Sequence, residues 1–466
     1  MPAAIQALLN VFKVPELRNK ILFTLGMLAV YRIGFWIPLP GVNQEALARA
    51  FQQATEGDTA FGRVAQFMAM FSGGAFSHST IFGLGIMPYI SASIIFQLLT
   101  AVSPRMKKLQ EEGPTGRQKI LEWTRYTTIA LCVVQATGWL QYITAGKDAM
   151  VYAQWASNPV WWVMGIVALT AGTVFLMWLG EQIDKYGIGN GVSLIIMAGI
   201  VSHMPGAAMW VWDNFEPGNE AMMGWLGLAF LIGAFVSIVA GCVLMTIAQR
   251  RIPVQQAKHT RGRKVFGGQR SYLPLRVNHS GVMPVIFASS LMIFPSVIFG
   301  MLHQQAAAAG AAGWWTGTMQ WLQDNFSIGE FPYIIFESIL IYFFAYFWIT
   351  VQFNPEEMSK QLRDNGSFIP GLRPGPRTAE YLETVMERVT FVGATMLACI
   401  AVVPMVATKA MGIPFNVAQF IGGTGMLISV AVVLDFVQRV EANLLMRNYA
   451  GFLGDEGRIQ SNRSPM

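Results

Sequence analysis

The chain has 466 residues, of which 53% are hydrophobic and only 12% are charged, with a formal net charge of +6. In water-soluble domains the charged fraction is about twice as large, so the composition excludes most soluble classes. It predicts a protein whose surface is partly in contact with lipid. The 14 Trp and 27 Met agree, because Trp favours membrane interfaces and Met suits adaptable apolar surfaces. Residues 1–20 lack the apolar core and cleavage site of a removable signal peptide.

Ten stretches are apolar over roughly the 20 residues that a helix needs to cross a bilayer. The sequence therefore predicts an all-α polytopic membrane protein with ten transmembrane helices. The predicted spans are residues 21–39, 80–102, 126–144, 158–180, 189–205, 221–248, 281–302, 331–353, 389–408 and 413–436. Another apolar stretch, residues 64–76, is too short to span and is expected to form a short re-entrant helix, since Gly73 and Gly74 interrupt it.

The basic residues predict the orientation of these spans. An even number of spans places both termini on one side of the membrane. With an inside N-terminus, 27 of the 32 Lys and Arg lie in inside segments, four lie outside, and Arg32 falls within the first span. Because basic loops stay on the cytoplasmic side, this split predicts that both termini are cytoplasmic.

Two of the predicted cytoplasmic loops are longer than is needed to connect two spans. The loop at residues 249–280 carries eight basic and no acidic residues, and its strand-like pieces, 250–254 and 271–277, predict a protruding hairpin. Such a finger suits ribosomal RNA phosphates or an acidic protein face, although the charges could serve only to set the topology. In the loop at residues 354–388, repeated Pro-Gly steps form a stiff turn that holds Arg373 outward. Either Arg373 contacts a partner protein, or these residues are only the usual composition of a loop.

The chemistry of an enzyme is missing from the sequence. Cys132, Cys242 and Cys399 are far apart within apolar runs, and we expect them to be small buried hydrophobic residues. The five histidines form no metal motif, and serine-hydrolase, intramembrane-aspartate and phosphate-loop motifs are absent. No convincing set of ionisable residues marks a midplane ion site, which disfavours a small-solute transporter, the main alternative. An intramembrane hydrolase is a third, weaker option.

Ten short segments of the chain are distinctive. The segments are RIGFWIPLPGVN at 32–43, MFSGGAFS at 70–77, GIMPYISASI at 85–94, GEQI at 180–183, GIGNG at 187–191, LPLRVN at 273–278, GVMPVIFASS at 281–290, FNP at 353–355, PGLRPG at 370–375 and GGTGMLI at 422–428. Each motif alone is weak, but together they resemble the bacterial SecY family of protein-conducting channels. The resemblance runs from about residue 21 to residue 446, in order and with the spacing that the span count requires.

The resemblance implies a fold and a function. Ten helices would form two five-helix halves related by an inverted pseudo-twofold, residues 21–205 and 206–436, with cytoplasmic ends at 1–20 and 437–466. Such a channel of the inner membrane passes unfolded secretory polypeptides across the bilayer and releases membrane-protein segments sideways into lipid. The resemblance implies SecE and SecG as neighbouring subunits and SecA or a ribosome as the source of movement, with no cofactor.

The resemblance also assigns site residues by position. A narrow pore ring would consist of Ile86, Ile90, Val192, Ile196, Ile286 and Ile428. A plug at about residues 64–78 would contain Met70, Phe71, Ser72, Gly73 and Gly74. A lateral gate would carry a polar cluster of Ser91, Gln135 and Asn278. Contacts with SecA or the ribosome would be made by Lys258, Arg261, Arg263, Lys264 and Arg373.

Overall fold

The computed structural model shows a helical protein with a small β-sheet at one end. It describes residues 14–56, 69, 72–145, 150–156, 158–215, 224–256, 259–261, 264–266, 270–308, 313–326, 329–372, 374–411, 417 and 423–455.

The first half of the chain contains nine helices within these residues. They are α1 (Pro15–Gly34), α2 (Gln44–Glu56), α3 (Met87–Val102), α4 (Pro104–Glu111), α5 (Pro114–Ala145), α6 (Ala153–Ala156), α7 (Pro159–Tyr186), α8 (Gly191–Ser202) and α9 (Met204–Asp213).

The second half adds all the described strands. Its elements are α10 (Trp225–Ile247), β1 (Gln249–Gln256), β2 (His259–Arg261), β3 (Lys264–Phe266), β4 (Arg270–Arg276), α11 (Met283–Ala308), α12 (Gly313–Asn325), α13 (Phe331–Gln352), α14 (Pro355–Asp364), β5 (Ser367–Phe368), α15 (Pro376–Met411) and α16 (Thr424–Asp455).

Within the described residues, five stretches are long and apolar enough to cross a membrane. These stretches are α7, α8 with α9, α10, α13 with α14, and Pro376–Val406 of α15. A sixth would be α3 with α4, which bend by 104° at their junction. The remaining predicted spans fall on α1, α5, α11 and α16, so the ten-span fold stays a prediction.

The second predicted span begins later than the sequence suggests. Residues 81–86 form turns, and α3 begins only at Met87, although the apolar run starts at residue 80. Gly85 has a φ of 59°, which is outside the helical range, and Pro88 occupies the first turn of α3, where its missing N–H costs nothing. Hydropathy alone does not register either constraint.

The fifth span is longer than predicted. The apolar run ends near Pro205, yet α9 follows α8 after His203 and continues to Asp213. Pro205 lies in the first turn of α9, where proline is compatible with a helix, so the chain stays helical beyond the residue expected to end it.

One of the three cysteine predictions is wrong. Cys132 and Cys242 are buried as expected, whereas Cys399 is exposed. Cys399 lies seven residues after Val392 on α15, and Val392, Val403 and Val406 are also exposed. Residues at this spacing share a helix face, so Cys399 belongs to an outward apolar face and not to the core.

The predicted hairpin is confirmed and has an additional strand. β1 and β4 pair antiparallel from Gln249↔Arg276 to Gln255↔Arg270, and β2 pairs with β3 farther along the hairpin. β5, from the second predicted loop, pairs with the end of β1, so the strand order is β4-β1-β5. The two loops therefore form one sheet. Its inner face packs on the ends of α13 and α15 through a cluster that includes Ile252, Leu275, Phe353, Leu382 and Met386.

Candidate channel constriction

Six aliphatic side chains from four segments lie in one apolar cluster. Five of them are buried, and Val192 is partly buried and packs against the same cluster. The four segments are the turn before α3 with α3 itself, α8, α11 and α16. The residues are Ile86, Ile90, Val192, Ile196, Ile286 and Ile428.

Helix periodicity places four of these residues in two pairs. Ile86 is the residue that precedes α3, and Ile90 follows four positions later. Val192 and Ile196 are likewise four apart on α8. Residues at this spacing lie above one another on one face, so these two segments each contribute two stacked side chains, whereas α11 and α16 contribute one each, Ile286 and Ile428.

The start of α8 is fixed against α7. The Asn190 side chain caps α8 by accepting a hydrogen bond from the Ser193 N–H at 3.0 Å. Asp184 Oδ1 of α7 accepts another from the Gly191 N–H at 2.7 Å. A Cβ on Gly191 would collide with the carbonyl of Gly180, so only glycine permits this close approach. Val192 and Ile196 therefore sit on a tightly held helix.

An aliphatic cluster of this kind can act as a constriction. Its buried members are all uncharged within the part of the chain that the structure describes. Aliphatic side chains offer no ligands to a dehydrated ion, and a narrow apolar passage excludes water. The same side chains can move apart for a polypeptide without regard to its sequence, because they make no specific polar contacts.

The described part of the predicted plug packs beside this cluster. Ser72, Gly73 and Gly74 lie in turns and are buried, whereas Met70 and Phe71 lie outside the described residues. The Tyr31 hydroxyl donates a hydrogen bond to the Ser72 carbonyl at 3.3 Å, and Ser202 Oγ donates one to the Gly73 carbonyl at 3.4 Å. Ala75 belongs to the same apolar cluster as the six aliphatic residues. The described residues of the segment thus contact α1 and α8 through these two long hydrogen bonds.

The three predicted gate residues do not form a hydrogen-bonded cluster in this structure. Ser91 on α3, Gln135 on α5 and Asn278 before α11 are each half-buried. Asn278 Oδ1 accepts a hydrogen bond from Ser280, and the buried Oε1 of Gln135 has no partner among the described residues. A polar gate made by these three residues stays a prediction.

Most of the predicted docking residues lie outside the described residues. These are Lys258, Arg263 and Arg373. The backbones of Arg261 and Lys264 are described, and the two residues pair at the far end of the β2–β3 hairpin. Their placement agrees with a basic tip, but their contribution to docking stays a prediction.

The structure also contains features near the two loops that the sequence did not reveal. Strand β5 has only two residues, too few for a periodic signal, so the link between the two loops could not be predicted. Next to it, a cleft between α14 and α15 is lined by Lys360 and Arg363 on one side and by Glu380 and Glu383 on the other.

His279 lies three residues after the end of β4. Burial of its imidazole lowers the pKa of His279, and the charge on Arg276 lowers it further.

Comparisons with known proteins identify the family. A family model described as SecY matches residues 80–437. The protein translocase subunit SecY of Streptomyces griseus is 44% identical over 455 residues, which cover 96% of this chain and 99% of that protein. The chain belongs to the SecY family. The SecY subunit of Escherichia coli K12 is 40% identical and covers 94% of each chain. The family consists of channels and not of enzymes.

Solved structures of low sequence identity support the same fold. A structure described as that of a protein conducting channel has a TM-score of 0.55 at 18% identity, covering 91% of this chain and 92% of its own. The idle yeast Ssh1 complex bound to the yeast 80S ribosome gives a TM-score of 0.57 at 15% identity, covering 90% and 89%. The SecY-like fold therefore extends over nearly the whole length of this chain and of each of the two solved chains.

Proposed function

We propose that this chain is the pore subunit of a protein translocase, which passes unfolded secretory polypeptides across the bacterial inner membrane. The observation that carries the proposal is the convergence of six aliphatic residues from four segments in a chain that belongs to the SecY family. An aliphatic collar suits a substrate whose side chains vary along its length, because it can seal without recognising any of them.

The plug and the lateral gate complete the proposed channel. The segment at about residues 64–78 would close the outer side of the collar and would be displaced when a polypeptide enters. A sideways opening between α3 and α5 on one side and α11 and α13 on the other would release apolar segments into lipid. Ser91, Gln135 and Asn278 would line that opening. The absence of a hydrogen-bonded network among them leaves their side chains able to exchange partners.

The proposed energy sources are partners, because the sequence contains no phosphate-binding loop. The sheet β4-β1-β5 joins both cytoplasmic loops, so SecA or a ribosome that grips either loop would pull on a common unit. SecE and SecG are the proposed neighbouring subunits, and both termini are proposed to be cytoplasmic. A secondary transporter of small solutes gains no support from the relatives, which are named as translocase subunits.

Reconstitution tests this function. The chain is incorporated into liposomes with SecE and SecG, and SecA, ATP and an unfolded secretory precursor are added. We expect ATP-dependent protection of the precursor from protease. Arg373→Glu should abolish protection, while the matched change at exposed Arg377, four residues later, should have a smaller effect. Equal protection in the parent and Arg373→Glu would remove only the docking role. No protection in any sample, with the partners bound, would refute the channel itself.

A further inference from the structure

Helix α12 occupies the end of the helical bundle opposite the β-sheet. α11 begins shortly after β4 and runs away from the sheet, and α13 returns to end beside α14 and the sheet. α12 connects their far ends and spans about 20 Å with its 13 residues. It therefore lies at the end of the bundle where α11 ends and α13 begins.

One side of this connection is anchored to the protein. Met319 on α12 is buried. Phe326, just after the helix, has its ring centroid 5.2 Å from that of Phe299 on α11 and 5.4 Å from that of Phe336 on α13. These contacts fix α12 to both neighbouring helices, so a force on α12 acts on the ends of both.

Two indole rings project from a second side. Trp314 is 73% exposed and Trp321 is 60% exposed. Because successive helix residues are separated by about 100°, two residues seven positions apart lie within roughly 20° of each other around the axis. The exposed polar residues Gln320 and Asp324 lie about a quarter turn away on a third side. The helix thus has separate protein-facing, aromatic and polar sides.

Helix α13, which follows α12 in the chain, carries an exposed apolar stripe. Large apolar residues at four-residue intervals on that helix are exposed from its first residue onward: Phe331, Ile335, Ile339 and Phe343. They share one face and extend over about 18 Å. An exposed stripe of this size on a membrane-crossing helix is suited to lipid tails. The stripe begins at Phe331, five residues after Phe326, and the Phe326 ring packs on Phe336, so α12 lies next to the end of α13 at which the stripe begins.

We propose that α12 is an interfacial helix that binds the phospholipid surface through Trp314 and Trp321. Indole rings favour this position because the ring body is apolar and its N–H can donate to a headgroup or ester oxygen. Gln320 and Asp324 then face the water. The lipid surface anchors the ends of α11 and α13 through Phe326. This assignment is independent of whether the chain conducts polypeptides.

Spin-label accessibility separates the three possible environments of these side chains. In a background with Cys132, Cys242 and Cys399 replaced by alanine, single cysteines replace Trp314 or Trp321, and matched controls replace Gln320 or Asp324. The full chain is labelled and reconstituted with SecE and SecG. We expect the ratio of oxygen accessibility to nickel-complex accessibility to be several-fold higher at 314 and 321 than at 320 and 324.

Two other results would overturn the proposal. Equal nickel accessibility at all four positions would place the aromatic side in water. Low accessibility to both reagents at 314 and 321 would mean that a protein covers them.

A second measurement avoids cysteine variants that fail to fold. Trp314→Phe and Trp321→Phe are combined in the native background, and emission is quenched by phospholipids that are brominated on the acyl chain near the headgroup. The quenchable emission should fall relative to the parent, whereas Trp139→Phe, a change to a buried ring, should leave it unchanged. An unchanged quenchable emission in the 314 and 321 variant would contradict lipid contact.

Discussion

Ser289 Oγ on α11 donates a hydrogen bond to Glu337 Oε1 on α13 at 2.8 Å, and both side chains are buried. Glu337 is only 2% exposed, and its Oε2 has no hydrogen-bond partner among the described residues. Ser289 is three residues after Ile286, so this polar contact joins the helix that carries a collar residue to its neighbour. Buried polar groups of this kind are expensive unless they are paired.

Glu337→Leu should destabilise the protein. The change leaves the buried Ser289 hydroxyl unpaired, which costs about 1–3 kcal/mol. Glu337→Gln keeps an acceptor oxygen and removes the possibility of a buried charge, so it should be as stable as the parent. The midpoint of thermal unfolding in detergent measures both effects. Ser289→Ala combined with Glu337→Leu should recover part of the loss, because neither partner is then left alone. A leucine variant as stable as the parent would show that the contact contributes nothing.

Ile286→Asn should make the resting channel leak. An amide in the collar gives water and ions a hydrogen-bonding partner where the parent offers none. The ionic conductance of planar bilayers containing the reconstituted complex should rise several-fold without a precursor. Val285 is the matched control, because it is buried in a different apolar cluster on the same helix. Val285→Asn should lower stability without raising the conductance. Similar conductance in both variants would argue against a collar at Ile286.

Gly73→Ala should loosen the closed state. Gly73 has a φ of 65°, and an added Cβ would lie 2.8 Å from the Cα of Gly199 on α8. Steric strain and overpacking at such a position together cost about 1–3 kcal/mol. We expect a larger resting conductance than in the parent. Gly26→Ala is the control, since a Cβ there meets no atom within 4 Å and alanine favours the helix. An unchanged conductance in Gly73→Ala would mean that this contact does not hold the plug closed.

His279 should make stability depend on pH. Because burial and the nearby Arg276 lower the pKa of His279 in the folded chain, the unfolded chain binds a proton first as the pH falls. Stability is therefore lost from about pH 7.5 downward through the unfolded pKa of about 6.5, until the folded imidazole is also protonated. His279→Gln should reduce this loss, measured as the shift in unfolding midpoint between pH 8 and pH 5.5. Equal shifts in parent and variant would exclude His279 as the cause.

The sequence predicts much of the local structure because local patterns determine it. The β1–β4 pairing follows from two alternating runs around glycines, and long apolar runs correspond to α7, α10, α13 and α15. Features that depend on contacts between distant segments are less accessible. The two-residue β5 carries no periodic signal, and the exposure of Cys399 depends on which face of α15 meets the bundle.

The candidate site shows the same division. Hydropathy identifies Ile86, Ile196 and Ile428 as apolar helix residues, which any bundle would bury. The resemblance to the SecY family distinguishes them from many similar residues, because they match the positions of the pore ring. The structure places them in one cluster. The pairing of Ser289 with Glu337 could not be predicted, because the two residues are 48 positions apart and no motif links them.

Crosslinking of an arrested polypeptide tests the central claim most directly. A precursor with a single cysteine is stalled during SecA-driven translocation by a folded domain at its C-terminus, and the chain carries Ile286→Cys or, as the control, Val285→Cys in the cysteine-free background. We predict a disulfide adduct that requires ATP and forms at position 286 but not at 285. A stalled precursor that yields no adduct at 286, or equal adducts at both positions, would contradict passage through the six-residue collar.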